Sequence, residues 1–266
     1  MRSSTPRDHF IVFKHVVEML DDRGYMIPDD QKWILDEYRL SEEPQLVARF
    51  MQKYSTYEHV QFAINSPMDG RYSKQITEIR ENGESTTYDH IISTAFITKQ
   101  DSTGRTLSIS TDTVRNVIYK WLELIGGEQS FNHNLHGLMI ISEFPLTPSA
   151  LKEITQKFAT YGPEIFFYSN LIINPSKHFL VPRHELLTTD QSRDFLVENK
   201  LNFDELPKML TTDPMARYFN ATEGDIFRIY RDKSIIPVVD KSRLYYRGVI
   251  KLREKKSKKT EMQKGK

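Results

Sequence analysis

The sequence predicts an α/β N-terminal part followed by a small α+β C-terminal module, on three observations. First, "GLMIISEF", "LTPSALKEI" and "EIFFYSNLIIN" follow one another with short joints, and a strand, helix, strand succession of that kind implies a parallel pair. Second, the regular pattern breaks at "NPSKHFLVPRHELLT", where Pro175, Ser176 and Pro182 interrupt it. Third, short alternating segments and one helix fill the chain beyond that break, a size that is small but foldable. The expected division is 1–176, 177–251 and a basic tail at 252–266.

Thr5 is placed to cap the first helix, with Pro6 at its first position and Asp8 three residues after the cap. Phe10, Phe13, Val17 and Leu20 make its apolar stripe, and Gly24 ends it. Two helical stretches follow, about Asp30 to Tyr38 with Trp33, and Pro44 to Tyr54 with Leu46, Phe50 and Met51. His59 to Ile64, Gln75 to Arg80 and Tyr88 to Thr98 read as strands, Asn82-Gly83 as a hairpin turn, and Leu107 to Ser110 as a shorter strand. From about Thr113 the spacing of Val114, Val117, Ile118 and Trp121 predicts a helix that Gly126-Gly127 terminates.

Past the break, a helix is expected at about Thr189 to Lys200, then a short "LPKML" turn. In "DPMARYFNATEGDIFRIYRD" Asp213 caps a short helix and Pro214 opens it. Asn220 suits a left-handed backbone that swings the chain through Gly224 into a strand. In that strand Ile226, Arg228 and Tyr230 face one way, and Phe227, Ile229 and Arg231 the other. The last two strands end in "RLYYRGVI".

No apolar run approaches the roughly 18 residues that span a bilayer. The opening "MRSSTPRDHF" lacks the apolar core of a signal peptide, so the expectation is an intracellular protein. Without cysteine there is no disulfide framework, thiolate nucleophile or sulfur-based zinc site. The Asn220-Ala221-Thr222 sequon means little without secretion. Residues 251–266 hold eight Lys or Arg against two Glu, a net of +6, so the remaining chain sums to −5 within the overall +1. The body is mildly acidic, and the one dense basic run reads as a solvated tail rather than a nucleic-acid grip.

"HFLVPRHELLT" (His178 to Thr188), "LPKML" (Leu206 to Leu210), "DPMARYFNATEGDIFRIYR" and "YYRGVI" occur in an order and spacing that carry a resemblance. Together they resemble the fifth-largest subunit shared by eukaryotic nuclear RNA polymerases, whose C-terminal part corresponds to a short archaeal RNA polymerase subunit that lacks the N-terminal part. "DRGY" after the first helix, "GLMIISEFPLTPSALKEI" and "LIIN" extend it to that family's N-terminal jaw module, itself of restriction-endonuclease-like three-layer α/β fold. The family usually has Gly where Asn220 stands, and its Thr-Ala-Gly turn between the last two strands is replaced here by "DKSIIPVVDKSRL". The segment from about Pro44 to Phe131 is longer than in the family and matches poorly. These departures point to a divergent viral or paralogous copy.

The resemblance implies a non-catalytic polymerase subunit with no cofactor and no metal, acting in transcription. Its C-terminal module would dock on the largest subunit, through His178, Pro182, His184, Pro207, Asp213, Pro214, Arg217, Tyr218, Arg228, Tyr246 and Arg247. Its jaw would lie beside downstream duplex DNA, contacting it weakly and without sequence preference. The implied location is the nucleus or, for a viral copy, a cytoplasmic viral factory or the virion.

The residues fit those roles without requiring them. Thr147 can cap a helix that Pro148 opens, Ser149 leaves a hydroxyl beside unpaired backbone N–H groups, and Lys152 follows one turn along. Such a start favours a phosphate, but the residues alone read first as an ordinary capped helix facing water; the jaw position that the resemblance implies turns the reading toward DNA. Arg217 and Arg228 suit interface anchors, or are surface arginines. His178 with His184, and His133 with His136, lack the third ligand a zinc site needs.

Two rival functions come from other classes. A restriction-type nuclease would need an acid and an E-x-K element on adjacent strand ends, and Glu198-Asn199-Lys200 with Asp194 falls on a predicted helix in the C-terminal module. A free transcription regulator or adaptor using the jaw alone would have no need of the C-terminal docking motifs.

Overall fold

The computed structural model describes residues 4–36, 40–53, 71–79, 85–97, 108–112, 114–116, 136–231 and 244–252. The chain divides into two compact units, Met1–Asn174 and Pro175–Lys266. Among the described residues each holds one four-stranded sheet, and both mix strands with helices.

The first helix, Pro6–Asp22, opens with the Thr5–Asp8 capping box: Asp8 N donates to Thr5 Oγ1 at 3.2 Å and Thr5 N to Asp8 Oδ2 at 2.8 Å. It buries far more than a stripe, since His9, Val12, Lys14, Val16 and Met19 join Phe10, Phe13, Val17 and Leu20 inside. Buried Lys14 is compensated by Glu18 at 2.6 Å and the Ile34 carbonyl at 3.2 Å. Gly24, at φ 81°, turns the chain after it. Within the expected second helix, Lys32–Ile34 is a 3-10 turn, where Trp33 Nε1 donates to the Asp30 carbonyl at 2.8 Å. Glu43–Lys53 is helical.

β1 (Arg71–Ile79) and β2 (Ser85–Ile97) pair antiparallel, while β2, β3 (Gly137–Ser142) and β4 (Glu164–Phe167) run parallel. Ala95, Ile97, Leu138 and Ile140 pack with Ala150, Ile154 and Phe158 of the helix region Pro148–Lys157 on one face. Phe96 on the opposite face meets Phe13 of the first helix at 5.9 Å, and Phe50 lies 5.6 Å from Phe13. Helices therefore cover both faces. The strand-like run "EIFFYSNLIIN" is strand only to Phe167: Asn170 Oδ1 accepts Phe167 N at 3.2 Å and the helix Tyr168–Leu171 begins. Around the expected strand Leu107 to Ser110, Ile109 forms a single bridge to Leu146. The expectations for His59 to Ile64, Asn82-Gly83, Val117 to Trp121 and the tail lie outside the described residues.

In the second unit β5 (Arg183–Leu186), β7 (Ile226–Tyr230) and β8 (Leu244–Ile250) are antiparallel neighbours. "LPKML", expected as a turn, supplies β6 (Lys208–Leu210), parallel to β8. The helix Thr189–Asn199 is capped by Thr188, and Lys200 closes it in left-handed conformation at φ 53°. Asp213 Oδ1 accepts Met215 N at 2.8 Å to start Pro214–Tyr218, and Asn220, at φ 52°, and Gly224, at φ 101°, turn the chain into β7.

Candidate docking surface

The sheet of the second unit has two differently furnished faces. Strand register puts Phe227, Ile229, Met209 and Val249 toward Ala216 and Ala221 as one core. Ile226 goes to the other side, with Leu187 and Leu206, where Phe195, Leu196, Phe203 and Tyr246 close a second, smaller core. Beyond it, on the same side, register places Glu185, Arg228 and Tyr246 in one cross-strand row and Arg183, Tyr230 and Leu244 in the next.

That outer part of the face is a polar and aromatic lattice. Tyr230 Oη donates to Glu185 Oε2 at 2.5 Å, and Arg228 Nη1 stands 3.8 Å from the same oxygen. Arg228 lies 5.9 Å from the Tyr246 ring centre, Arg183 lies 5.2 Å from that of Tyr230, and Phe195 stacks on Tyr246 at 3.8 Å. Arg228 Nε is buried without a hydrogen-bond partner among the described residues.

The turn before β5 presents apolar surface. Val181 N donates to the His178 carbonyl at 2.9 Å, which leaves Phe179 and Leu180 at the tip, 72% and 55% exposed. His178 stacks on Phe179 at 5.0 Å and accepts Leu180 N at 3.3 Å, so the turn is held locally while its large side chains face out. His184 Nδ1 donates to the Pro182 carbonyl at 2.7 Å and its ring meets Phe227 edge-on at 5.8 Å. Burial pushes the His184 pKa down, against the opposing pull of the Pro182 carbonyl and Asp213.

Residues 173–249 match the family model described as RNA polymerase Rpb5, C-terminal domain. The DNA-directed RNA polymerase subunit Rpo5 of the archaeon Saccharolobus shibatae is 42% identical over 67 residues, which cover 25% of this chain and 80% of that subunit. The chain belongs to the RNA polymerase Rpb5 family. Among eukaryotic members, subunit RPABC1 of DNA-directed RNA polymerases I, II, and III from Caenorhabditis elegans is 32% identical over 104 residues, 39% of this chain and 49% of that one. Subunit 5B of DNA-directed RNA polymerases IV and V from Arabidopsis thaliana is 26% identical over 113 residues, 42% of this chain and 51% of that one. The chain spans about half the length of these eukaryotic relatives.

Within this Rpb5-type module the docking residues picked from the sequence do not form one patch. Register sends Arg228 and Tyr246 to one face of the sheet, and His184 and Arg247 to the other with Asp213 and Pro214. Tyr218 is 3% exposed and packs edge-on to Phe219 at 5.2 Å, so it seats the helix instead of presenting itself; Arg217 beside it is half-buried. Exposed Pro207 gives its carbonyl to Gly248 N at 3.0 Å. His178 and Pro182 are half-buried supports of the turn. Phe179, Leu180, Glu185 and Tyr230 escape the sequence reading; the pairing of Glu185 with Arg228 needs the register, which spacing alone does not give.

In the first unit the helix start at Thr147 is well fixed. Thr147 N donates to the Ile109 carbonyl at 3.1 Å, and Thr147 Oγ1 accepts Ala150 N at 3.2 Å. Ser149 Oγ sits 3.2 Å from Thr147 Oγ1 and accepts from Thr111 Oγ1 at 3.1 Å. Pro148, Ser149 and Lys152 are exposed. Glu153 engages Arg115 at 2.8 Å and Lys157 at 2.6 Å, and Arg115 above all holds its carboxyl down to about 2. Glu198 lies in the last turn of its helix and Lys200 in the left-handed cap, so neither sits at a strand end. Among the described residues no three His, Asp or Glu side chains gather as metal ligands. His133 lies outside the described residues, and His136 stacks on His90.

Proposed function

We propose that the chain is a non-catalytic subunit of a multisubunit DNA-directed RNA polymerase. Residues 177–251 dock on the largest subunit, and residues 1–176 form a restriction-endonuclease-like jaw flanking downstream DNA. The observation that carries this reading is the likeness to archaeal Rpo5 over 80% of that subunit's length, together with the family-model match at residues 173–249, a region that exposes Phe179 and Leu180 at a locally hydrogen-bonded turn. A preorganised apolar tip loses little conformational freedom on binding, which suits an assembly anchor. Arg217, Arg228 and Arg247 supply charged contacts elsewhere on the module, Arg228 and Arg247 from opposite faces of the sheet. The subunit follows its polymerase, to the nucleus in a eukaryotic cell; the relatives named above come from a nematode, a plant and an archaeon, and lend no support to a viral location.

The test is capture of the largest polymerase subunit by the tagged full chain. The Phe179→Asp, Leu180→Asp double variant is expected to lose that capture while keeping its melting temperature, because neither side chain is in the core. Retained capture, or elution of the native protein as a small free species, overturns the reading. For the jaw, Lys152→Glu in the assembled polymerase is expected to weaken retention of downstream duplex equally across sequences, and more at low salt, as for a backbone contact. Unchanged retention removes the jaw contact from the proposal.

A further inference from the structure

β2 is buried from Ile92 to Ile97, but its earlier residues stand half or fully exposed, and a ring cluster occupies that outer part. His90 and His136 stack with centroids 5.0 Å apart and planes inclined by 27°. Tyr88 lies 5.5 Å from His136, Tyr25 lies 6.0 Å from His90, and Lys74 Nζ sits 4.7 Å from the Tyr25 ring centre. Lys74 is directly opposite His90 in the β1–β2 register, and Ile76 opposite Tyr88, so these side chains share one face.

Hydrogen bonding assigns the His136 proton. His136 Nδ1 accepts the Ile91 N–H at 3.2 Å, which places the proton of the neutral ring on Nε2. Burial pushes the Tyr25 phenol up to about 12, and its Oη lies 3.1 Å from His90 Nδ1. Two imidazoles and an ammonium group therefore share one face, Lys74 Nζ also donating to the Arg23 carbonyl at 3.4 Å.

Burial and then Arg23, after the first helix, disfavour the Lys74 charge, while Glu164 of β4, held by Arg23 through two bonds of 2.9 and 2.8 Å, favours it. Asp89 pairs opposite Gln75, on the other side of the strand. Burial first, then His136 and Lys74, push the His90 pKa down, the signature of a spot where added positive charge is resisted.

We propose that His90, His136 and Lys74 form a binding site for a phosphate-type oxyanion, separate from the Thr147 helix start. Two imidazole N–H groups and an ammonium can donate to such an anion together, and its charge offsets the repulsion that protonation of His90 builds against Lys74. The phosphodiester backbone of nucleic acid and a small free oxyanion share this chemistry.

The test follows the imidazole Cε1–H resonances of the full chain through a pH titration in sodium chloride, in sodium sulfate at matched ionic strength, and with a short DNA duplex. Sulfate is expected to raise the His90 titration midpoint and to bind about tenfold more tightly near pH 5.5 than near pH 7.5, since protonation adds charge to the site. His136→Phe, which keeps the ring stack and removes the donor, and Lys74→Met, which leaves both imidazoles in place, are each expected to abolish the shift. A shift with sulfate and with duplex assigns the site to backbone phosphate; a shift with sulfate alone assigns it to a free oxyanion. An unmoved His90 midpoint in both overturns the proposal, as does a shift that survives both variants.

Discussion

In the first unit β3 buries all six of its residues, whereas β7 in the second buries Ile226, Phe227 and Ile229 and leaves Arg228 and Tyr230 half-exposed. β3 is flanked by parallel neighbours and covered on both faces, so any continuous apolar run serves it. β7 has one face in a core and the other divided between a small core and a lattice of named polar contacts. Its entry is also fixed by Asn220 and Gly224, whose positive φ few residues tolerate. A strand of the first kind constrains composition, and one of the second kind constrains identity. The family model, at residues 173–249, matches the region built in the second way.

The largest expected effect breaks this comparison if the units are coupled. Phe227 is fully buried, and Phe227→Ala should cost about 3–5 kcal/mol through lost burial and the cavity left behind. Native-state hydrogen exchange should then show protection lost across β7 and β8 and kept in β3. Equal loss in both sheets would show that the units do not unfold separately.

A smaller effect sharpens the role of close packing in the second unit. A Cβ added at Gly248 would lie 2.7 Å from Phe203 Cε2 and 2.8 Å from Cζ. Gly248→Ala should therefore cost about 1–3 kcal/mol as the half-buried ring is displaced, read as a lower denaturation midpoint for this unit only. Smaller again, Asn220→Val should cost about 1–2 kcal/mol by forcing a β-branched residue into the left-handed region, while Asn220→Gly keeps the turn. Equal stability of the two variants would remove the turn from the argument.

What can be read in the sequence follows the same division. Helix starts are legible because Thr5, Thr147, Thr188 and Asp213 each bond a backbone N–H within three residues, a purely local matter. Asn220 is legible for the same reason. Of the two segments misread, "LPKML" depends on a partner far along the chain, since Lys208–Leu210 is a strand only because β8 lies beside it, while the run after Phe167 turns helical through the local bond to Asn170. The candidate surface is half legible. Arg228 and Tyr246 stand out by type, but Glu185 and Tyr230 acquire a role only from the register across three strands. Tyr218 has the look of a docking residue and is 3% exposed, because it and Met215 seat the five-residue helix.

The smallest expected effect concerns acid, and it separates the units by their histidines. In the first unit burial is the leading cause that lowers the pKa of His9, His15 and His90, with Glu143 opposing it at His9 and the Leu171 carbonyl opposing it at His15. In the second unit only His184 among the described residues shows the same lowering. A histidine whose folded pKa is depressed resists protonation in the folded state, while the unfolded chain takes up the proton near 6.5. Stability from these groups is thus complete above about pH 6.5 and falls as the pH drops from there toward the folded values, because the unfolded state binds more protons. His9 and His15 matter most for where they act: His9 Nδ1 meets Tyr168 Oη at 3.0 Å and His15 Nδ1 donates to the Leu171 carbonyl at 2.6 Å, tying the first helix to the last segment of its unit. Between about pH 6.5 and pH 5, β3 amides should therefore lose protection faster than β7 amides in hydrogen exchange corrected for intrinsic rate. His9→Gln with His15→Gln should remove most of that difference, whereas a slope that persists in the double variant would place the acid sensitivity elsewhere.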